Sequence, residues 1–452
     1  MAGIGWKLER LIDRDSLGGS VGAFLTGVAV TSGPWLLTTL LLVLMRLSAL
    51  AMGITDVTDA ERVITVVYAV VIVLSAPIDI VLTRYSADRV YERRTDQIAA
   101  PLRRVVAFGL VVFAGIGALA MRVVDAPPEL AGPGAVLAAV VGGQWLLLSA
   151  AGGLSSPGII LRAFGVGAPV SLVAWFALSQ PHVLGDAGYL YGFGAGQLVT
   201  LGLLLWGTLR ALPEHEDDTA SFGAAIRDYW LLAAAAFAFN AGLWIDKLVV
   251  LLFAGGDLGA RYAALAAVAW LSVVPACAYL FVAVETVFHR RFHAFYDALH
   301  AGASLTELES RAQDVRVEVS RTLQGTVAVQ AGVTLLCLLA APFVVGKLGL
   351  MESGSHTLAW LLIGAGFQVV AVAATLLLYY FDFRLEALVA AVTQLATNGL
   401  FTAQVGAPDG ALGAGYAIAC AVTTAVSITL LQRRMPGLLA RTFQSQPYAT
   451  EA

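Results

Sequence analysis

The stretch WLLAAAAFAFNAGLWIDKLVVLLF, residues 230–253, decides the fold. It is one apolar run of helical length, interrupted by Asn240, Asp246 and Lys247. About twenty apolar residues cross the hydrocarbon core of a bilayer as a helix, so the run reads as a membrane span. An ionisable side chain at the bilayer centre costs ~2.5–3.5 kcal/mol on insertion scales. The best apolar residues return ~0.3–0.6 kcal/mol each, enough for the whole segment to insert. Its charges must then face protein or water, which makes Asp246 and Lys247 the first candidates for function.

The rest of the chain repeats this character. Hydrophobic residues make up 59% of the 452 and charged residues 13%, with a mean hydropathy of +0.80. Soluble domains carry about 25% charged residues, so the sequence predicts an all-α polytopic membrane protein. Twelve windows qualify as spans, near 25–50, 63–83, 105–124, 133–153, 163–180, 187–209, 229–253, 262–287, 324–346, 357–381, 385–404 and 410–431. The fifth is the weakest, being interrupted by Gly165, Gly167 and Pro169. Cytoplasmic loops carry the excess of Lys and Arg. With the N-terminus inside, 21 of the 27 basic residues fall on the cytoplasmic side, so both termini are expected there. The start, MAGIGWKLERLIDRDSLGG, carries acidic residues and lacks a cleavable apolar core; it reads as an interfacial amphipathic helix rather than a signal peptide.

Six windows precede the polar segment 213–228 and six follow it, which predicts a lobe over 1–212, a cytoplasmic linker over 213–228 and a second lobe over 229–452. Gly33-Pro34-Trp35 in span one and Gly242-Leu243-Trp244 in span seven share the pattern G-x-W, 209 residues apart. An even number of spans per lobe makes this a parallel repeat about an axis along the membrane normal. The expected result is two halves of six helices each. In this register Leu37 and Thr38 stand where the other half has Asp246 and Lys247.

The intramembrane polar residues are the candidates for cavity lining or ion coupling. Asn240 and Lys247, seven residues apart, share a helix face, whereas Asp246 is turned by about 100° from Lys247. Adjacent residues on a helix do not face one another, so a simple internal Asp246–Lys247 pair is not expected; a pair between Lys247 and Glu285 of span eight is the structural alternative. Asp79, after Pro77 in span two, could contact a substrate or form a clamp with Arg84. Glu285 could contact substrate, snorkel or pair with Arg290. Trp35 and Trp244 lie deep enough to stack on sugar rings, or else pack between the halves. Pro34 should kink span one and act as a hinge. Gln144, Gln197, Gln368, Gln394 and Asn398 read as hydrogen-bonding glue between helices.

Arg84–Arg104 reads as a mixed-charge connector and 289–323 as a cytoplasmic helical segment, with Ser304 and Glu307 in a capping-box pattern. The latter is a docking site for a cytoplasmic partner or an extension of spans eight and nine. Enzymatic readings are poor: no histidine falls within a span, and no P-loop is present. The three cysteines, all in apolar segments, have no metal or redox spacing. No cofactor, no metal and no nucleic-acid partner is expected.

MAGIGWKLERLIDRDSL and TSGPWLL at the start, LTRYSADRVYERR after span two, GLWIDKLV in span seven and VETVFHRRFHAFYDAL after span eight together resemble the PelG family, inner-membrane transporters of Pel exopolysaccharide. The matches run from the N-terminus to about residue 300, and the C-terminal third is similar mainly in hydropathy. The resemblance implies a fold of the multidrug/oligosaccharidyl-lipid/polysaccharide superfamily, two six-helix bundles around a central cavity in a bacterial inner membrane, working by alternating access or as a continuous conduit. It implies a cationic, partly deacetylated amino-sugar polymer as substrate, moved from cytoplasm to periplasm. A cytoplasmic glycosyltransferase and membrane partners that include a cyclic-di-GMP receptor are implied as well. On that reading Asp79, Asp246 and Glu285 are contacts for a cationic glycan, with Asp246 the preferred proton site. A scaffold that recruits the synthase and a small-molecule antiporter of the same superfamily are the competing functions.

Overall fold

The structure is a computed structural model that describes residues 33–54, 57–153, 157–178, 187–212, 219–254, 256–347, 354–405 and 411–445. The amphipathic helix expected over 1–19 and Ser32 lie outside them. Among the described residues every regular element is a helix. The main ones are α1 (Gly33–Ala51), α2 (Thr58–Tyr91), α3 (Ala99–Val123), α4 (Pro128–Gly153), α5 (Pro157–Leu178) and α6 (Gly188–Ala211). A linker helix, Thr219–Asp228, leads into α7 (Trp230–Phe253). Then come α8, in two pieces (Gly256–Leu271 and Val274–Ala283), α9 (Leu305–Lys347), α10 (Gly354–Tyr380), α11 (Arg384–Val405) and α12 (Ala414–Arg434).

Each of the twelve sequence windows falls on one of these helices. Among the described residues ten helices are long and apolar enough to cross a membrane, or eleven if the two pieces of α8 form one span. The remaining window, α11, carries Glu386, Gln394 and Asn398, all buried against protein. A helix that turns its polar residues inward loses hydropathy without exposing them to lipid. The lipid-facing surface is apolar by contrast: Phe108 and Val111 of α3 are each 72% exposed and Leu339 of α9 is 75% exposed.

The break in α8 has a cause in the sequence. Pro275 occupies the first turn of the second piece and has no N–H to offer the carbonyl of Leu271, so the axis bends by 43° there. The Ala269 carbonyl at the break accepts both the Ser272 hydroxyl at 2.6 Å and the Ser272 N–H at 3.1 Å. Span five, by contrast, is one continuous helix. Its small residues mark the close approach of α6: a Cβ on Gly167 would lie 2.7 Å from the Gly196 carbonyl oxygen. Gly in a membrane helix is here a packing device. The Arg84–Arg104 connector is also shorter than expected, since α2 runs on to Tyr91 and a 3-10 turn over Thr95–Gln97 leads directly to α3. Tyr85, Ile98 and Leu102 are buried in this stretch, which gives the polar segment an apolar face to fold on.

Packing repeats from one half to the other. The contacts α1–α5, α2–α4, α3–α4, α4–α6 and α5–α6 recur six helices later as α7–α11, α8–α10, α9–α10, α10–α12 and α11–α12. The largest apolar core is drawn from residues 41–225 plus Leu251, and the other three take their buried residues from 250–438. Helix α2 packs against α7 and the first piece of α8, joining the halves.

Beyond α8 the chain passes through a π-helical turn, Val284–Phe288, into the helix His289–His300, which packs antiparallel on the start of α9. The Glu307 N–H donates to the Ser304 hydroxyl at 3.3 Å, as the capping pattern predicts. Segment 289–323 is thus a helical hairpin that prolongs spans eight and nine.

Candidate functional site

A cavity of about 360 Å³ lies between the halves. Helices α1, α2, α4 and α5 wall it on one side, and α7, α8 and α10 on the other. Five sequence candidates line it: Pro34, Trp35, Asn240, Trp244 and Lys247. The G-x-W repeat therefore has a spatial meaning, because its two tryptophans come to one space from equivalent helices. The seven-residue spacing of Asn240 and Lys247 puts both in the wall, as expected. Thr38, in the position matching Lys247, also lines the cavity, while Leu37 and Asp246 do not. Asp246 is completely buried behind the wall.

Asp246 and Lys247 nevertheless form an ion pair, which corrects the sequence expectation. The Lys247 ammonium donates to both Asp246 carboxylate oxygens at 3.1 Å and to the Leu243 carbonyl at 2.9 Å. The two Cβ atoms diverge, but the four-carbon lysine stem is long enough to curl back over its own turn. The pair is held from other helices as well. Asp246 accepts from Tyr262 of α8 at 2.9 Å and from Asn398 of α11 at 3.2 Å. The ring centroids of Tyr416, Trp270 and Trp244 lie 5.0, 5.6 and 6.0 Å from the ammonium. This supplies cation–π attraction in a desolvated place, where such contacts are worth about 2 kcal/mol. The expected alternative, Lys247 with Glu285, is not made.

The polar glue is also paired between helices, and in a way that repeats. Gln144 of α4 donates to the Gln197 carbonyl of α6 at 2.6 Å. In the second half Gln368 of α10 accepts from the Cys420 thiol of α12 at 3.2 Å. Asn398 additionally donates to the Gly242 carbonyl at 2.8 Å. Gln144 and Gln368 reach the cavity too, so they serve it as well as the packing.

A family model described as "PelG: Putative exopolysaccharide Exporter (EPS-E)" matches residues 1–443. The chain belongs to the PelG family. No curated protein matches it. Among solved structures it is similar to an inward-facing multidrug resistance MATE family transporter of the MOP superfamily, with a TM-score of 0.61 at 14% identity over 88% of this chain and 99% of that one. A MATE protein in complex with MaD3S gives 0.62 at 14% identity, over 92% and 96%. A MATE protein in the bent conformation gives 0.60 at 15% identity, over 98% and 100%. At such identities the likeness is one of fold, and the fold is MATE-like. Family and fold are those of transporters.

In this PelG-family chain the two remaining acidic candidates stand apart from the cavity. Asp79 accepts from Ser75 at 2.9 Å, and its Oδ1 is buried without a hydrogen-bond partner. The clamp with Arg84 does not form: the Arg84 guanidinium donates instead to the Tyr379 carbonyl of α10 at 3.3 Å, across the seam between the halves. Glu285 sits in the π-helical turn beside Tyr380. Such turns inside a helix recur at functional sites. The Pro34 carbonyl accepts from Thr38 at 2.8 Å; the chain before Gly33, on which a hinge there depends, is outside the described residues. Sequence reading missed Tyr68, Trp145 and Trp270 in the wall and Tyr262 behind it. An aromatic residue bearing a polar group in mid-span was the available signal, because that group must find a partner away from lipid.

Proposed function

We propose that this exporter passes its polysaccharide through the cavity between the halves. The lobes 1–212 and 229–452 rock about the cavity, and 213–228 links them. What supports the reading is the meeting of Trp35 and Trp244, from equivalent positions of the repeat, in one space that Asn240, Thr38, Gln144 and Gln368 also reach. A pyranose offers an apolar C–H face to an indole and hydroxyls to amides, so this mixture suits sugar better than a purely apolar drug. The volume lies at the lower end of the ~300–1,000 Å³ usual for ligand sites, which suits a short stretch of polymer at a time.

A cationic amino-sugar polymer is compatible with the wall despite Lys247. The Lys247 side chain is 7% exposed and its ammonium is paired with Asp246, so it does not present a free positive charge. Export runs from cytoplasm to periplasm across the inner membrane, with both termini cytoplasmic. The 289–323 hairpin is the docking surface for the glycosyltransferase that supplies the chain.

Trp35→Ala and Trp244→Ala, made singly and compared at equal protein level, should each reduce secreted polymer several-fold. Wild-type secretion from both variants would sink the cavity route and favour the scaffold reading. Removing exposed charges of the hairpin should release the glycosyltransferase on co-purification; retention of the enzyme would remove the docking role. Drug sensitivity that changes on loss of the protein would point to the antiporter instead.

A further inference from the structure

The acidic side chains held within the membrane helices and their extensions differ in what neutralises them. Glu61 of α2 pairs with Arg46 of α1, and Asp246 with Lys247. Glu386 of α11 pairs with Arg434 at the end of α12, and Glu318 of α9 with Arg291 at 3.4 Å. Asp79, half-buried on α2, and Glu285, buried in the π-helical turn, form no ion pair among the described residues.

The surroundings of Asp79 are polar but uncharged. Asp79 lies on α2, two residues past Pro77 and seven past Ile72, the last α2 residue to reach the cavity wall. That places it about 10 Å further along the helix axis, towards the end at Tyr91. Oδ2 accepts from Ser75 one turn earlier. Ser149 of α4 faces the carboxyl group. Oδ1 is buried with no partner. Arg84, the nearest cation on its own helix, is engaged with the Tyr379 carbonyl. Among the described residues, α3, α4, α6, α7 and α8, which pack on α2, form no ion pair with it. Pro77 leaves the Val73 carbonyl without its helical donor, so α2 is most easily deformed beside this acid.

We propose that Asp79 is a proton-binding site of the first half, loaded and emptied as the halves rearrange. An ionisable residue inside a membrane helix is expensive to keep and marks a pathway or a relay. The expense is removed here by taking up one proton at the carboxylate, which also turns an orphaned acceptor into a hydroxyl that can donate. Asp246 is unsuited to this task, because a lysine on the next residue holds it. What the proton is coupled to rests on the transporter reading above; the existence of the site does not.

The test uses the full chain in lipid vesicles and infrared difference spectra recorded across the neutral pH range. A carboxylic-acid C=O band that grows as pH falls is expected in the wild type and in Glu285→Gln, and the band left in Glu285→Gln is expected to vanish when Asp79→Asn is added. A shifted band is expected in Asp79→Glu, which retains the acid. A titrating band unchanged in Asp79→Asn, or no titrating carboxyl at all, would overturn the proposal. In cells, Asp79→Glu should secrete polymer and Asp79→Asn should not. Secretion from Asp79→Asn at the wild-type level, and equally sensitive to a protonophore, would overturn it too. If the tryptophan variants secrete normally, the cavity route fails while the infrared band still decides the proton site.

Discussion

At the scale of the residue, Lys247 shows how a membrane helix tolerates a charge. Its ammonium has two carboxylate oxygens, one carbonyl and three aromatic rings around it. Taking away one partner of such a buried pair leaves the other uncompensated and costs about 3–5 kcal/mol, whereas replacing both by apolar groups is often close to neutral. Lys247→Met and Asp246→Leu should therefore each lower the thermal unfolding temperature in detergent, and the double variant should unfold well above the additive expectation. Strict additivity would mean that the two side chains are energetically independent. Periodicity located both residues and placed Lys247 in the cavity wall. It failed on their pairing, because the helical wheel describes where Cβ atoms point and a lysine ends four atoms further on. Tyr262 and Asn398, which complete the site, come from distant helices; each is legible as a polar group in mid-span that needs a partner, but no local pattern names Asp246 as that partner.

At the scale of the element, helix proximity is set by what is missing as much as by what is present. Gly242 lets α11 approach α7 so closely that a Cβ there would lie 2.7 Å from Gln394 Cγ and 3.0 Å from the Leu395 nitrogen. Gly242→Val should push the two helices apart at a cost of about 1–3 kcal/mol, readable as earlier unfolding. It should also loosen the Asn398 bonds to Asp246 and Gly242, so part of the loss should disappear in an Asn398→Ala background. An effect of equal size in both backgrounds would separate the glycine from the site. The twelve helices were readable because twenty apolar residues in a row have few alternatives in a bilayer. The bend in α8 was signalled by Pro275 and not recognised. The π-helical turn at 284–288 was not readable, since one extra residue in a helical turn leaves the apolar pattern almost unchanged.

At the scale of the whole molecule, the halves are joined on the side of the linker by a small polar seam. Tyr229 donates its hydroxyl to Asp88 of α2 at 2.7 Å, and the Arg384 guanidinium lies 5.3 Å from the Tyr229 ring centroid while donating to the Asp228 carbonyl at 3.0 Å. Burial, then the Asp88 carboxylate, pushes the Tyr229 phenol up to about 12. A raised phenol stays a donor throughout the neutral range. Its contribution is whole below the ordinary tyrosine value of about 10 and is lost as pH rises through about 12. Tyr229→Phe should cost about 1 kcal/mol near neutrality, and the difference from wild type should close only in strong alkali. A difference that already varies between mildly acidic and neutral pH would assign the seam to another group. The repeat was hinted at by one G-x-W pair, but its extent needed the contact pattern, because the halves share packing with little shared sequence. Helix α9 has a consequence of another kind. Its 43 residues amount to a rod about 65 Å long in a hydrocarbon layer about 30 Å thick, and its one proline, Pro342, lies at the far end from the hairpin. A rod that long works as a lever: a tilt of a few degrees within the bilayer becomes a sweep of several ångströms at its free end. An enzyme resting on that end would be moved by each transport step without any signal passing through its active site.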